Sequence, residues 1–141
     1  MKIEQIYTGW LAQGAYYIES GGEAVVIDPL REVKTYLEKA LEDDAKIKYV
    51  LETHFHADFV SGHQDLARQA RAKIIFGPNA DPGPNFMAHI ATDGEIFNVS
   101  KISIKVLHTP GHTMESKCYL LSDELGKEEA LFSGDQKKWR L

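Results

Sequence analysis

The chain has 141 residues, the length of a single domain, which is enough to bury a hydrophobic core. Its formal net charge of -5 argues against a general nucleic-acid binder, because such proteins are normally basic. Cys118 is the only cysteine, so no disulfide can form within the chain, which fits a reducing compartment. No apolar run has the length of a membrane span, and the first residues lack the apolar stretch of a secretory signal. We therefore expect a cytoplasmic protein that binds neither nucleic acid nor membrane.

Three short β-rich segments begin the chain, at residues 3–7, 15–19 and 24–28, and glycine-containing turns separate them. The segment Ala24-Val25-Val26-Ile27 is apolar throughout, as expected for a strand that is buried on both faces. A helix is predicted for residues 31–44, because apolar side chains recur there with helical spacing. The predicted buried face of this helix comprises Val33, Leu37, Ala40 and Leu41.

A histidine-rich motif, Thr53-His54-Phe55-His56-Ala57-Asp58, follows the next predicted strand at residues 47–52. Side chains two residues apart in an extended backbone point to the same side, so His54, His56 and Asp58 can converge on one point. Neutral imidazole and carboxylate are ligands that zinc, iron and manganese accept in proteins. The motif therefore predicts a metal site at the end of this strand.

The rest of the chain consists mainly of predicted strands. A helix comes first, at residues 62–71, with Ser61 as its N-cap and with Leu66 and Ala70 facing inward. A strand at residues 73–76 and a loop rich in proline and glycine at residues 77–85 follow this helix. Further strands are predicted at residues 97–99, 102–106, 118–121 and 130–132. Many strands and few helices indicate an α/β or α+β fold with a large β component.

Two further candidate ligands follow predicted strands downstream. His112 lies in the turn Thr109-Pro110-Gly111-His112-Thr113, and Asp135 lies in Ser133-Gly134-Asp135. Loops at strand ends are where rigid scaffolds commonly carry chemical groups. The predicted metal site therefore includes His112 and Asp135 as candidate ligands.

These three motifs, in this order and spacing, resemble those of the metallo-β-lactamase superfamily. The resemblance extends from Ile3 to Asp135 and implies an αββα sandwich with the metal at the edge of the sheets. We therefore expect a metallo-β-lactamase-like domain at residues 1–135, of class α/β (α+β), followed by a tail at 136–141 that does not resemble the family. The family continues beyond the Gly-Asp pair, so we expect an incomplete second sheet. An uncovered sheet favours self-association, and we expect a homo-oligomer.

Phe59 distinguishes between branches of this superfamily. The dinuclear hydrolases, such as glyoxalase II, carry His-x-His-x-Asp-His, whereas this chain has phenylalanine in place of the last histidine, and phenylalanine cannot bind a metal. The stretch from Glu52 to His63 is similar to that of the persulfide dioxygenases, which are often fused to or found beside rhodanese domains. This resemblance implies a single non-haem Fe(II). It also implies, from the matching positions of the motifs, which residues bind the iron and which lie beside it. The implied ligands are His54, His112 and Asp135, and the residues that would orient them or bound water are His56 and Asp58.

The implied reaction is the oxidation of a low-molecular-weight thiol persulfide, of the glutathione or coenzyme A type, to sulfite and thiol. A rhodanese is the partner implied by the same resemblance. Two alternatives stay open. Three imidazoles, with His56 included, would suit zinc and a thioester hydrolase of the glyoxalase II type. The third interpretation is a metal-binding fragment without catalytic activity.

Three other polar residues are assigned mainly structural roles. Cys118 lies in an apolar predicted strand, where a cysteine usually acts as a small buried hydrophobic residue. His89 is predicted to be structural. Asp28 ends a buried strand near the same sheet edge, where it can either cap the following turn or orient a ligand.

Overall fold

The computed structural model describes residues 1–7, 14–29, 33–53, 63–76, 88–108 and 117–133. Strands and two helices alternate in these ranges. In chain order they are β1 (Lys2–Tyr7), β2 (Gly14–Ser20), β3 (Glu23–Ile27), α1 (Lys34–Glu42), β4 (Lys46–Leu51), α2 (His63–Ala70), β5 (Lys73–Phe76), β6 (Ala88–Ile90), β7 (Ile96–Val99), β8 (Ile102–His108), β9 (Lys117–Ser122) and β10 (Glu128–Ser133).

The strands form two sheets. The first sheet has the order β1-β2-β3-β4-β5-β6, with antiparallel pairing from β1 to β3 and parallel pairing from β3 to β6. The second sheet has the order β10-β9-β8-β7 and is antiparallel throughout. Parallel neighbours require long crossover connections, and α1 and α2 lie in two of these.

One hydrophobic core fills the space between the two sheets, and a second lies between the first sheet and the helices. Strand β3 contributes to both cores: Val25 and Ile27 belong to the first, and Ala24 and Val26 to the second. All four side chains are fully buried, which confirms the prediction from the continuous apolar run. Tyr36 and Leu66 are among the helical residues of the second core.

The order of layers is therefore helices, first sheet and second sheet in the part of the chain that the structure describes. This mixed α/β arrangement of two packed sheets confirms the predicted fold class. The incomplete second sheet and the division at residue 135 stay predictions. Neither helix in the described ranges has the length and apolar character needed to cross a membrane.

The predicted buried face of α1 was partly wrong, whereas Leu66 and Ala70 of α2 face the core as predicted. Leu41 was predicted to be buried, but it is 82% exposed, whereas Tyr36 is 1% exposed and was not predicted. Leu41 follows the buried Ala40 and so lies about 100° further around the helix, away from the sheet. Helix α1 also ends at Glu42, before the predicted residue 44, where Asp44 has a left-handed φ of 50°. The predicted Ser61 N-cap and the loop at residues 77–85 lie outside the described residues.

The end of the sandwich at which β3 and β4 begin is closed by contacts between the two sheets. The backbone N–H of Ser100 donates to the Glu23 carboxylate at 2.6 Å, and the Lys48 ammonium donates to the Asn98 carbonyl at 3.2 Å. The turn at Gly21 lies so close to Ser100 that a Cβ added to this glycine would overlap the serine side chain. We call these contacts the inter-sheet clamp.

Candidate metal centre

The strands that precede the predicted ligands end at the same end of the sandwich. In the first sheet, Ile27 at the end of β3 pairs with Leu51 at the end of β4. In the second sheet, Cys118 of β9 pairs with Leu107 of β8 and with Ser133 of β10. Tyr119 of β9 bonds to the backbone just after β4, so these two edges face each other.

The predicted ligands themselves, and Phe59, lie outside the described residues. Their chain neighbours are described: β4 ends at Leu51 before the first motif, β8 at His108 before the second, and β10 at Ser133 before the third. Among the described residues, no three side chains of the metal-binding types are grouped closely enough to hold an ion. The ligand set His54, His112 and Asp135, with His56 and Asp58 beside it, therefore stays a prediction.

Asp28 holds the backbone immediately ahead of His54. Its carboxylate accepts two hydrogen bonds from Thr53, one from the backbone N–H at 2.8 Å and one from the hydroxyl at 2.5 Å. Its own N–H donates to the Leu51 carbonyl at 2.8 Å. Asp28 has a left-handed φ of 51°, a conformation that aspartate tolerates better than most residues. Asp28 is thus bonded to the residue just before His54, while its role in orienting a ligand stays a prediction.

Glu52 is held from two other sides. Its backbone N–H donates to the Ile75 carbonyl of β5 at 3.1 Å, and its carbonyl accepts a 2.6 Å hydrogen bond from the Tyr119 hydroxyl. Glu52 and Thr53 are 4% and 1% exposed. The two residues before His54 are thus buried and bonded to β5, to β9 and to Asp28 just after β3.

Burial raises the pKa of Tyr119 well above its usual value, and the negative charges of Asp28 and Glu52 raise it further. The phenol therefore keeps its proton at neutral pH and acts as the donor to the Glu52 carbonyl. The sequence interpretation missed this role, because the segment around Tyr119 was treated simply as an apolar strand. A buried tyrosine usually needs a partner for its hydroxyl, and this rule was the available signal.

The structural roles predicted for His89 and Cys118 fit their surroundings. The His89 imidazole Nε2 lies 2.6 Å from a Glu95 carboxylate oxygen, and its ring makes an edge-on contact with Phe97 at 5.8 Å between centroids. Cys118 is buried in β9. His89 thus has a polar and an aromatic partner, and Cys118 has the burial expected of a small hydrophobic residue.

The chain matches the sequence pattern of the metallo-beta-lactamase superfamily over residues 8–136. Together with the two-sheet fold, this match identifies the class: the chain belongs to the metallo-beta-lactamase superfamily. The resemblance noted in the sequence is therefore confirmed at the level of the superfamily.

Individual relatives come from more than one branch. Hydroxyacylglutathione hydrolase of Prochlorococcus marinus (strain MIT 9211) is 36% identical over 122 residues, which are 83% of this chain and 47% of the relative. A metallo-beta-lactamase from Staphylococcus aureus subsp. aureus COL has a TM-score of 0.85 and 40% identity, covering 96% of this chain and 43% of that one. ETHE1 from Myxococcus xanthus has a TM-score of 0.75 and 30% identity, covering 86% of this chain and 54% of that one. The chain thus spans about half the length of these relatives.

Proposed function

We propose that this domain holds one Fe(II) through His54, His112 and Asp135 and oxidises a low-molecular-weight thiol persulfide. The observation that carries the metal site is the shared end of the sandwich at which β4, β8 and β10 finish, each just ahead of one proposed ligand. Phe59 favours one metal over two, because it replaces a histidine that a second metal would need. The similarity to ETHE1 from Myxococcus xanthus supports the same branch.

The donor set suits the proposed metal. Two imidazoles and one carboxylate form the ligand type of many non-haem Fe(II) oxygenases, which leave coordination positions open. When bound, the iron supplies those open positions and the redox chemistry of the reaction. The residues of the chain hold the metal and orient its ligands. Asp28 and Tyr119 do so indirectly, because they bind the backbone ahead of His54. His56 and Asp58 are proposed to orient the ligands or bound water by hydrogen bonds.

The proposed substrate is a persulfide of the glutathione or coenzyme A type. One persulfide, one dioxygen and one water give one thiol, one sulfite and two protons, with the outer sulfur oxidised and dioxygen reduced. A rhodanese is the proposed partner by analogy with the family.

Self-association also stays a proposal. Sedimentation velocity over a range of concentrations tests it.

Dioxygen uptake with glutathione persulfide tests the proposal on protein loaded with Fe(II). We expect uptake matched by sulfite formation, and we expect His112→Ala to remove both. His89→Gln is the control, because it replaces another imidazole and keeps a donor for Glu95. The proposal is wrong if the iron-loaded protein takes up no dioxygen, or if His112→Ala is as active as the unaltered chain.

A second candidate is a zinc thioester hydrolase, because hydroxyacylglutathione hydrolase of Prochlorococcus marinus is 36% identical. His56 would then add a third imidazole to the ligand set, as zinc accepts. Metal analysis of protein purified without added metal separates the candidates. One iron per chain supports the dioxygenase, whereas one or two zinc ions with hydrolysis of S-lactoylglutathione support the hydrolase. Bound metal with neither activity supports the non-catalytic interpretation.

A further inference from the structure

The two residues ahead of His54 are bonded to both sheets. Glu52 donates to Ile75, and Thr53 donates twice to Asp28, so these three bonds stay within the first sheet and the turn that follows β3. The fourth bond runs from the Tyr119 hydroxyl of the second sheet to the Glu52 carbonyl at 2.6 Å. It crosses the space between the sheets and reaches the backbone next to the predicted ligand segment.

The position of Tyr119 in the second sheet gives this bond its importance. Strand β9 lies between β8 and β10, and Tyr119 pairs with Val106 on one side and with Phe132 on the other. These two neighbouring strands lead to His112 and Asp135, whereas β4 leads to His54. Tyr119 thus connects the strand ahead of one proposed ligand to the strands ahead of the other two.

The side chain is suited to a fixed connection. The Tyr119 ring is fully buried in the core between the sheets, and its hydroxyl is a donor at neutral pH because burial keeps it protonated. A buried phenol has few alternative conformations, since close packing restricts both of its side-chain torsions. The length of the bond therefore constrains how far the Glu52 carbonyl lies from β9.

We propose that Tyr119 is a positioning residue for the metal site, which holds the segment entering His54 at a set distance from the segments of His112 and Asp135. The proposal rests on the ligand set of the proposed function, but it applies equally to bound iron and bound zinc. Tyr119 affects the metal site indirectly, because it binds the Glu52 backbone and other residues bind the metal.

Tyr119→Phe tests the proposal, since it removes the hydroxyl and retains the ring. We expect the affinity for Fe(II) and for Zn(II), measured by competition with a chelator, to fall about tenfold or more, as for other residues that orient metal ligands. In metal-free protein, we expect amide hydrogen exchange to become faster in the peptide that contains Glu52 and Thr53.

Tyr17→Phe is the matched control. The Tyr17 hydroxyl donates to the Asp43 carboxylate at 2.9 Å, and Asp43 lies before β4, at the end of the sandwich opposite to Thr53. This variant also loses one hydrogen bond from a buried tyrosine ring. We expect it to lose stability while the metal affinity and the exchange at Glu52 and Thr53 stay as in the unaltered chain.

Unchanged metal affinity in Tyr119→Phe would overturn the proposal, whatever happens to the exchange, and would leave Tyr119 a purely structural residue. Failure of the proposed function gives a different result, because the unaltered chain would then bind neither Fe(II) nor Zn(II), whereas failure of the present proposal leaves both affinities equal in the unaltered chain and in Tyr119→Phe. If Tyr119→Phe does not fold in buffer alone, the affinities of the unaltered chain, Tyr119→Phe and Tyr17→Phe are compared in sucrose, which favours the folded state. Equal affinities of the three proteins contradict the proposal.

Discussion

Asp28 shows how a single residue can link two strand ends at the proposed site. Its carboxylate binds both polar groups of Thr53, and its backbone has a left-handed φ of 51°. The sequence predicted the buried strand that ends here, because four apolar residues in a row are visible locally. It could not predict the partner, since Thr53 lies 25 positions away and only the folded sheet brings the two together.

We predict that Asp28→Ala lowers the free energy of unfolding more than Asp28→Asn does. Alanine loses both hydrogen bonds to Thr53 and is strained at this φ, and we expect a cost of about 2–4 kcal/mol. Asparagine keeps one acceptor and tolerates the left-handed conformation, so we expect about 1 kcal/mol. Urea denaturation of the metal-free variants measures both costs. Equal costs would show that the acceptor kept by asparagine and its tolerance of the left-handed backbone contribute nothing.

Asp43 allows a prediction about pH. The hydrogen bond from Tyr17 lowers the pKa of Asp43, burial opposes this change, and the bond from Lys2 lowers the pKa further. A lowered pKa stabilises the fold above the unfolded value of about 3.9, and the stabilisation is lost as pH falls through the folded value. We predict that Asp43→Asn is less stable than the unaltered chain at pH 7 and that the difference shrinks as pH falls towards 3. Denaturation at several pH values tests this, and a difference that does not depend on pH contradicts it.

At the scale of elements, the strands were predicted better than the helix faces. The positions of β3 and β8 could be predicted from their continuous and alternating apolar segments. A two-residue repeat is recognisable even when the predicted ends of a strand are wrong by a residue. The face of α1 depends on rotation about its axis, so Leu41 was assigned to the core while Tyr36 occupies it. Which turns meet across the two sheets, as at Gly21 and Ser100, is a property of packing that no local pattern contains.

We predict that Gly21→Ala destabilises the protein more than Gly22→Ala does. Both glycines have left-handed φ values, 57° and 86°, so alanine is strained at either position, by about 1 kcal/mol. A Cβ at position 21 also overlaps Ser100, whereas at position 22 its nearest neighbour is the Asp44 carbonyl at 3.8 Å. Thermal unfolding of the two variants compares them directly. Equal losses would mean that Ser100 moves aside at no cost.

For the whole molecule, the sequence predicted the superfamily and the class of fold, because three separated motifs in order carry that information. The predicted ligands follow β4 of the first sheet and β8 and β10 of the second. A metal held by these ligands would join the two sheets, and its removal would take away one link between regions that are distant in the chain. The Tyr119 bond between the sheets could not be predicted, because it depends on their relative placement.

We predict that added metal raises the unfolding temperature through these ligands. An ion that binds the folded state alone adds about 2.7 kcal/mol at a concentration 100 times its dissociation constant. His112→Ala should abolish this gain, and a chelator should reverse it in the unaltered chain. His89→Gln should keep the gain, because its partners are Glu95 and Phe97. A gain that survives in His112→Ala would place the metal elsewhere.

The inter-sheet clamp at Glu23, Ser100, Lys48 and Asn98 has a mechanical consequence for the opposite end. Because the two sheets are joined at the end that carries the clamp, a small change in the angle between them displaces the opposite end most. The proposed ligands belong to that far end, so a slight tilt would be magnified there. The hydrogen bond from Tyr119 to Glu52 lies far from the clamp, where a single short bond resists separation of the two sheets most effectively.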